Sequence, residues 1–156
     1  MDNYDGALAD LDKAVVLDPK NALPERANFK SGKNDYKGAI EDFTTAIQLN
    51  PSNCQLYGQR AEVFEANGDI DAAIADYTLA IACVKQNPAE TGGYCPAYYS
   101  LRAELKKAKG DYEGALEDYA LQIRESQGAT RGLLQMLYGD SGLLLRQHAD
   151  RLRIRR

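Results

Sequence analysis

A recurring spacing of about 34 residues constrains the fold of this chain more than any other feature of its sequence. In a frame that begins at Cys54, large aromatic and small residues alternate at fixed places; they are Tyr57, Phe64 and Tyr77, and Ala61, Ala73 and Ala80. Small side chains let two antiparallel helices approach closely, while the rings fill the space around them. Gly68 tolerates the left-handed conformation that ends a helix, and Asp69 can accept from N–H groups that begin one. The segment therefore predicts a helical hairpin.

This pattern resembles the tetratricopeptide repeat, a 34-residue unit of two helices. The matching residues occupy frame positions 4, 8, 11, 20, 24 and 27; they are Tyr57, Ala61, Phe64, Ala73, Tyr77 and Ala80. Arg60 stands at position 7 where Leu is usual, and Ala61 stands where Gly is usual. The resemblance implies an all-α fold, built as a right-handed superhelical array of antiparallel helix pairs with about eight helices.

The frame recurs on both sides of Cys54. We assign a half repeat to residues 2–19, complete repeats to about 20–53, 54–87 and 96–127, and an insertion to 88–95. The half repeat has only the pattern of a second helix, so one apolar edge of that helix is expected to stay open, unless the sequence is a fragment or another element covers it. Gln122 replaces Ala at position 27 of the last repeat, which predicts unusual stacking of the segment that follows.

Two spacings depart from the regular period. Tyr36 follows Tyr4 two positions earlier than the frame requires, and Pro24 falls in the intervening first helix. Because Pro suits only the first turn of a helix, we expect that helix to begin near Leu23 or Pro24 and to be the shortest of the array. The insertion 88–95 contains Pro and paired Gly, and it predicts a loop, preceded by extra helix ending near Lys85. It is either a tolerated surface insertion or a loop that reaches over a groove.

Residues 128–156 keep helical patterning without the repeat, and we interpret them as degenerate capping helices with a basic tail. Residues 1–130 contain 13 Lys/Arg and 21 Asp/Glu, whereas residues 131–156 contain 6 and 2. The tail is either a solvated helix end or a contact for an anionic surface. No aromatic residue interleaves with its arginines, so nucleic acid is not the expected partner.

Cysteine usage and hydropathy bear on the compartment. Cys54, Cys83 and Cys95 are an odd number and form no Cys-x-x-Cys pair, which favours reduced thiols in a cytosol-like environment. The N-terminus lacks the basic and apolar regions of a secretory signal, and no apolar run approaches the roughly 20 residues that cross a bilayer. We therefore expect a cytoplasmic protein that does not associate with membranes.

The sequence shows no catalytic, cofactor-binding or metal-binding constellation. It lacks the Gly-rich phosphate loop, the His-Glu-x-x-His motif and any Cys/His cluster with metal-ligand spacing. The lone histidine, His148, lies on an apolar stripe and is interpreted as a packing residue. The acidic residues at helix starts are explained by the helix dipole. The chain is therefore expected not to be an enzyme.

The family resemblance implies a binding groove lined by the first helix of each repeat. The residues at groove-facing positions that we select are Asn28, Gln55, Gln59, Glu62, Leu101 and Glu104. Amide side chains can pair with the backbone of an extended peptide, and the glutamates favour a basic or neutral partner. A solvated polar face would have a similar composition.

A subtype of the family binds the acidic tails of heat-shock chaperones through a carboxylate clamp of Lys, Asn and Arg. The matching positions here hold Pro24, Asn28, Gln59, Ala97 and Leu101, and only Asn28 agrees with the clamp. We therefore expect no binding of chaperone tails.

Two functions remain open from the sequence. The first is a non-enzymatic scaffold or adaptor that binds an extended peptide or a partner helix in the groove. The alternative is a structural module that forms homodimers through its unpaired N-terminal helix, whose apolar residues are Tyr4, Leu8, Leu11 and Val15. The sequence does not identify the ligand.

Overall fold

The computed structural model describes residues 4–87 and 96–125 of the chain, and these form seven α-helices. Their bounds are α1 Tyr4–Leu17, α2 Pro19–Ser31, α3 Tyr36–Leu49, α4 Cys54–Ala66, α5 Ile70–Gln86, α6 Pro96–Ala108 and α7 Tyr112–Glu125. The chain forms two compact units, Met1–Thr91 and Gly92–Arg156, and each is considered by itself. The expected all-α repeat fold is confirmed.

The first unit contains α1 and two helical hairpins. Helix α1 packs on α2, α2 pairs with α3, α3 packs on α4, and α4 pairs with α5. One core joins α2, α3 and α4, and it contains Phe43, Ala27 and Leu56. In the second unit, α6 pairs with α7 around Ala103, Ala115 and Tyr119. The small and aromatic residues of the repeat frame therefore form the cores of the hairpins.

The turn inside each hairpin uses a left-handed residue. That residue is Gly68 with φ 86° in the second hairpin and Gly110 with φ 84° in the third. In the first hairpin it is Asn34 with φ 66°. Asn is among the residues other than Gly that most readily adopt this conformation, so the turn survives without Gly.

Two of the three aspartates that begin second helices cap them as expected. Asp35 accepts from Gly38 N and Asp111 accepts from Gly114 N, both at 3.0 Å. The prediction that Asp69 does the same is wrong, since its side chain accepts no capping hydrogen bond. A Cβ at Gly38 or Gly114 would collide with the capping carboxylate. In the second hairpin the equivalent residue is Ala72, whose Cβ would occupy that space.

Helix α2 differs from the sequence-based expectation. It begins at Pro19, with Asp18 as N-cap accepting from Asn21 N at 3.3 Å, and Pro24 lies inside it. It has 13 residues, as many as α4, so it is not shorter than the other first helices. The missing residues are in the connection instead: Asp18 alone joins α1 to α2, whereas residues 50–53 join α3 to α4. Pro19 permits this because the first helical position needs no N–H donor.

Helix α5 has 17 residues and ends at Gln86, which confirms the extra helical length before the insertion. The insertion 88–95, the capping helices, His148 and the basic tail lie outside the described residues. Gln122 is buried in α7, but the stacking of the segment after it stays a prediction. Within the described ranges, no helix is both long and apolar enough to traverse a bilayer.

The expectation of reduced cysteines is wrong for two of the three. Cys54 at the start of α4 and Cys83 near the end of α5 form a disulfide, with Cα atoms 5.4 Å apart. Their sequence separation of 29 means that no short motif announces the pair. The antiparallel hairpin brings them together, because the first turn of one helix lies beside the last turns of the other. Cys95 falls outside the described residues.

Candidate functional site

An arginine–aspartate ion pair recurs in every described hairpin and fixes the first helix to the second. The pairs are Arg26–Asp42, Arg60–Asp76 and Arg102–Asp118. In each, Nε and Nη2 of the arginine donate to the two carboxylate oxygens, at distances of 2.5 to 2.9 Å. All three aspartates are buried. The arginines stand at frame position 7 and the aspartates at position 23.

The two hydrogen bonds from each arginine compensate the buried carboxylate for the water that it loses on folding. An unpaired buried carboxylate would be strongly destabilising, whereas a bidentate guanidinium satisfies both of its oxygens. Burial acts to raise the pKa of Asp42, but hydrogen bonds from Arg26 and from Lys30 outweigh it and hold that pKa below its usual value. Sequence reasoning noted Arg60 only as a departure from Leu. The missed signal was an Arg followed by an Asp at a sequence separation of 16, three times over.

In the first unit the same arginines also contact the helix that precedes their hairpin. Arg26 Nη1 donates to Asp12 Oδ1 of α1 at 2.6 Å, and Arg60 Nη1 donates to Thr44 Oγ1 of α3 at 2.9 Å. Each arginine thus holds one first helix against both neighbouring second helices. The rotation of α2 and α4 about their axes is therefore fixed, and so is the face that each exposes.

The exposed faces of α2 and α4 are polar at equivalent positions, and we call them together the first-helix surface. Its members stand at frame positions 2, 6 and 9 of each helix; they are Asn21, Glu25 and Asn28, and Gln55, Gln59 and Glu62. Gln59 is half-buried and the others are exposed. Four of the six residues selected from the sequence, Asn28, Gln55, Gln59 and Glu62, lie here on two helices that share one core.

Glu62, together with Glu65 one turn further along α4, gives this surface a negative character. Partial burial raises the pKa of Glu62, and the neighbouring charge of Glu65 raises it further. Both effects disfavour the ionised form of Glu62. A cationic group placed beside Glu62 and Glu65 would relieve that cost, whereas a second carboxylate would increase it.

Leu101 and Glu104 belong to the second unit, whereas the other four selected residues belong to the first. Leu101 is half-buried on α6. Glu104 is engaged within its own hairpin, because it accepts from the hydroxyl of Tyr119 and from Lys107 Nζ, the latter at 2.5 Å. Burial acts to raise the pKa of Glu104, but these two donors outweigh it and lower that pKa. A ligand at Glu104 would compete with Lys107.

The predicted self-association residues on α1 are all half-buried. The ring of Tyr4 stacks on Phe29 of α2 with centroids 5.2 Å apart, and Val15 packs against the core of the first unit. Tyr4 and Val15 are thus already used in intramolecular contacts. Sequence reasoning missed Val16 and Leu17 at the end of α1, which are 82% and 85% exposed.

No set of acidic, His or Cys side chains within residues 4–87 and 96–125 is arranged to hold a metal ion. The buried aspartates of the described residues pair with arginines, and Lys30 and Lys106 add a further ion pair to Asp42 and Asp118. These contacts hold helices together.

Comparisons with known proteins agree with this architecture. A family model described as tetratricopeptide repeat matches residues 25–53 and 55–82. A search of curated proteins finds no match. The crystal structure of MamA is similar with a TM-score of 0.66 and 19% identity, covering 97% of this chain and 92% of that one.

Two further solved structures have the same fold. The first TPR of Spaghetti (RPAP3), bound to the HSP90 peptide SRMEEVD, has a TM-score of 0.60 and 22% identity, covering 86% of this chain and 93% of that one. The Sgt2 TPR domain from Aspergillus fumigatus has a TM-score of 0.61 and 21% identity, covering 85% and 82%. With its two matched repeats and this shared fold, the chain contains tetratricopeptide repeats at residues 25–53 and 55–82.

Proposed function

We propose that the chain is a non-enzymatic scaffold that binds an extended peptide or a partner helix across the first-helix surface. The observation that carries this proposal is the contrast between neighbouring frame positions of α2 and α4. Position 7 is an arginine used internally, whereas positions 2, 6 and 9 are polar, largely exposed and not part of the core. The arginine pairs hold α2 and α4 in place, so the surface is preorganised and loses little freedom on binding.

The chemistry of the surface favours a neutral or basic ligand. Amides at Asn28, Gln55 and Gln59 can both donate to and accept from a peptide backbone. Glu62 and Glu65 would attract a Lys or Arg side chain and repel an acidic tail. The peptide SRMEEVD that the RPAP3 domain binds is acidic at its C-terminal end. We infer that this chain does not bind such a tail.

The proposal can be tested with two labelled peptides, SRMEEVD and SRMKKVK, in which Lys replaces each acidic residue. Fluorescence anisotropy would follow each peptide as the full chain is added. We expect saturable binding of the basic peptide and none of the acidic one. Replacing Glu62 and Glu65 together by Lys should reverse this preference, while the control Glu41→Lys on the exposed side of α3 should not. Equal binding of both peptides, or binding of neither, would contradict the proposed charge preference.

Cellular location belongs to this proposal as well. The cytoplasmic expectation rested on reduced cysteines and on an N-terminus without the features of a secretory signal. The Cys54–Cys83 disulfide is more typical of an oxidising compartment. Non-reducing peptide mapping of protein taken directly from its host would decide between an oxidising compartment and the cytoplasm. A Cys54–Cys83 linked peptide supports an oxidising compartment, and free thiols support the cytoplasm.

The second candidate function is self-association through α1. The observation that favours it is the exposure of Val16 and Leu17 on the same helix as the half-buried Leu8 and Leu11. Light scattering after size exclusion, across protein concentration, would detect dimers. Leu11→Glu should then convert them to monomers, whereas Glu62→Lys should leave them intact.

A further inference from the structure

Helix α1 has the internal register of a second helix, including its characteristic acid. Counted from the residue that begins each second helix, Asp10 in α1 occupies the place of Asp42 in α3, Asp76 in α5 and Asp118 in α7. Ala7 and Ala14 likewise match Ala39 and Ala46, which are buried in the core of their hairpin. The sequence of α1 is therefore that of a helix suited to receive a first helix.

The surroundings of Asp10 differ sharply from those of its equivalents. Asp42, Asp76 and Asp118 are buried, and each pairs with an arginine from its own first helix. The Asp10 side chain is 78% exposed, and its ion pair is with Lys13 on the same helix at 3.0 Å. Such an exposed pair contributes little to stability. Ala7 and Ala14 are half-buried, and α1 has no fully buried residue.

Through Asp12, helix α1 already makes one of the two contacts that second helices make with an arginine. Asp12 accepts from Arg26 at 2.6 Å, just as Thr44 in α3 accepts from Arg60. These are the contacts that a second helix makes to the hairpin that follows it. The contact that a second helix makes within its own hairpin is the one through Asp10.

We propose that the face of α1 formed by Ala7, Asp10, Leu11 and Ala14 docks an amphipathic helix of a partner protein, and that this helix carries an arginine that pairs with Asp10. The arginine would take the bidentate geometry of the three internal pairs, which the compact ammonium of a lysine cannot reproduce. Apolar residues flanking the arginine would cover Leu11 and the two alanines. This docking face is separate from the first-helix surface, so the inference does not depend on the proposed function.

A second copy of this chain fits the face less well than such a partner. A two-fold contact between two α1 helices through this face would bring Asp10 of each copy towards the other. Three of the four arginines in the described hairpins are already bound to Asp42, Asp76 and Asp118, and the fourth, Arg124, lies in the last turn of α7. Charge complementarity therefore favours an arginine-bearing helix from elsewhere.

The direct experiment uses the first helix of the second hairpin as a probe. A labelled peptide of residues 53–69 with Cys54→Ser carries Arg60 in the required register, and its binding to the full chain would be followed by anisotropy. We expect saturable binding that weakens about tenfold or more when Asp10 is changed to Asn. The matched control Asp5→Asn, on the same helix, should bind as the unmodified chain does.

A change in the peptide completes a double-mutant cycle with Asp10→Asn in the chain. An Arg60→Gln peptide should bind weakly to the unmodified chain and equally weakly to the Asp10→Asn chain, because the pair is then already broken. Absence of saturable binding, or equal binding of the Arg60 peptide to the Asp10→Asn and unmodified chains, would overturn the proposal. Light scattering adds a third outcome: a dimer of the unmodified chain that Asp10→Asn strengthens, because it removes the like charges, would assign the face to a second copy and overturn the partner proposal.

A graft tests the same face without relying on peptide affinity. A copy of residues 54–69, with Ser for the cysteine, would replace residues 1–3, so that its arginine precedes Asp10 by the separation found in the three internal pairs. We expect a higher Tm than that of the parent chain, and most of the gain should vanish with Asp10→Asn. A graft that leaves Tm unchanged, or a gain that Asp10→Asn does not reduce, would contradict pairing at Asp10. Neither variant alters the first-helix surface, so failure here leaves the proposed function standing.

Discussion

At the scale of single residues, the buried arginine–aspartate pairs are the most consequential polar contacts of the described structure. Each places two charges, which must be matched to each other, at the contact between two helices. Such a pair adds less net stability than its Coulombic attraction suggests, because both charges lose water. It does make the packing specific, since a rotated or shifted helix would leave a charge buried alone.

Replacing one partner of such a pair should lower the free energy of unfolding more than replacing both partners. We expect Arg60→Leu to lower the free energy of unfolding by about 3–5 kcal/mol, because Asp76 stays buried without its partner. The double variant Arg60→Leu, Asp76→Leu should recover most of that loss. Urea denaturation measures both, with Lys13→Leu in an exposed pair as a control expected near zero. A double variant as unstable as the single one would contradict this account.

Acid sensitivity should follow from Asp42. Its folded-state pKa is lowered, so its contribution to stability is present above the unfolded pKa of about 4 and is lost as the pH falls through the folded value. We expect Asp42→Asn to be less stable than the unmodified protein at pH 7, with the difference shrinking in acid. Denaturant titrations between pH 7 and pH 3 would check this. A difference independent of pH would show that the charge is not responsible.

The contribution of Glu62 to stability should depend on pH in the opposite sense to that of Asp42. Its raised pKa means that the ionised form disfavours the folded state, so stability is lost as the pH rises through the folded-state value. Glu62→Gln should therefore stabilise the protein slightly at pH 7 and have no effect in acid. The same denaturant titrations would check this. Destabilisation by Glu62→Gln at pH 7 would contradict the claim that the folded state disfavours ionised Glu62.

At the scale of elements, helix α2 accommodates two prolines in different ways. Pro19 at the first position removes an N–H that has no helical partner, whereas Pro24 removes one that would bond within the helix. We expect Pro24→Ala to raise the free energy of unfolding by roughly 1–3 kcal/mol. Pro19→Ala is the matched control and should be neutral or slightly destabilising. Urea denaturation of the two variants would separate the positions, and equal effects would refute this explanation.

The disulfide acts on one hairpin, where it joins the start of α4 to the end of α5. Closing this loop restricts the unfolded chain, so Cys83→Ser should lower stability by about 2–4 kcal/mol under oxidising conditions. Adding a reductant should lower the Tm of the unmodified chain and leave that of Cys83→Ser unchanged. A Tm of the unmodified chain that is insensitive to the reductant would mean that the bond adds nothing in solution.

At the scale of the whole molecule, the first compact unit holds two complete hairpins and α1. Repeat arrays gain stability from each interface, and about three units are needed before burial outweighs chain entropy. We expect a fragment of residues 1–91 to fold, with helical circular dichroism and cooperative unfolding. A fragment without cooperative unfolding would show that the second unit is required for the first to fold.

Much of this architecture was readable from the sequence, because its determinants are local and periodic. Small and aromatic residues at fixed places in the repeat frame specify which faces of each helix are buried, and left-handed turn residues mark where hairpins reverse. The same frame placed Asn28 on α2 and Gln55, Gln59 and Glu62 on α4, and that they bind a ligand together stays a prediction. These inferences need only the helical period and the packing of side chains of given size.

Other features depended on contacts between residues far apart in sequence. The start of α2 at Pro19 was misjudged because a one-residue connection satisfies the spacing as well as a shorter helix does. The Cys54–Cys83 bond and the engagement of Glu104 by Tyr119 required the hairpin geometry itself. The sequence contains Arg and Asp at a regular separation, but only the structure shows that these residues form bidentate ion pairs. Periodicity thus determined the helices, and tertiary proximity decided which charges, thiols and surfaces are already occupied.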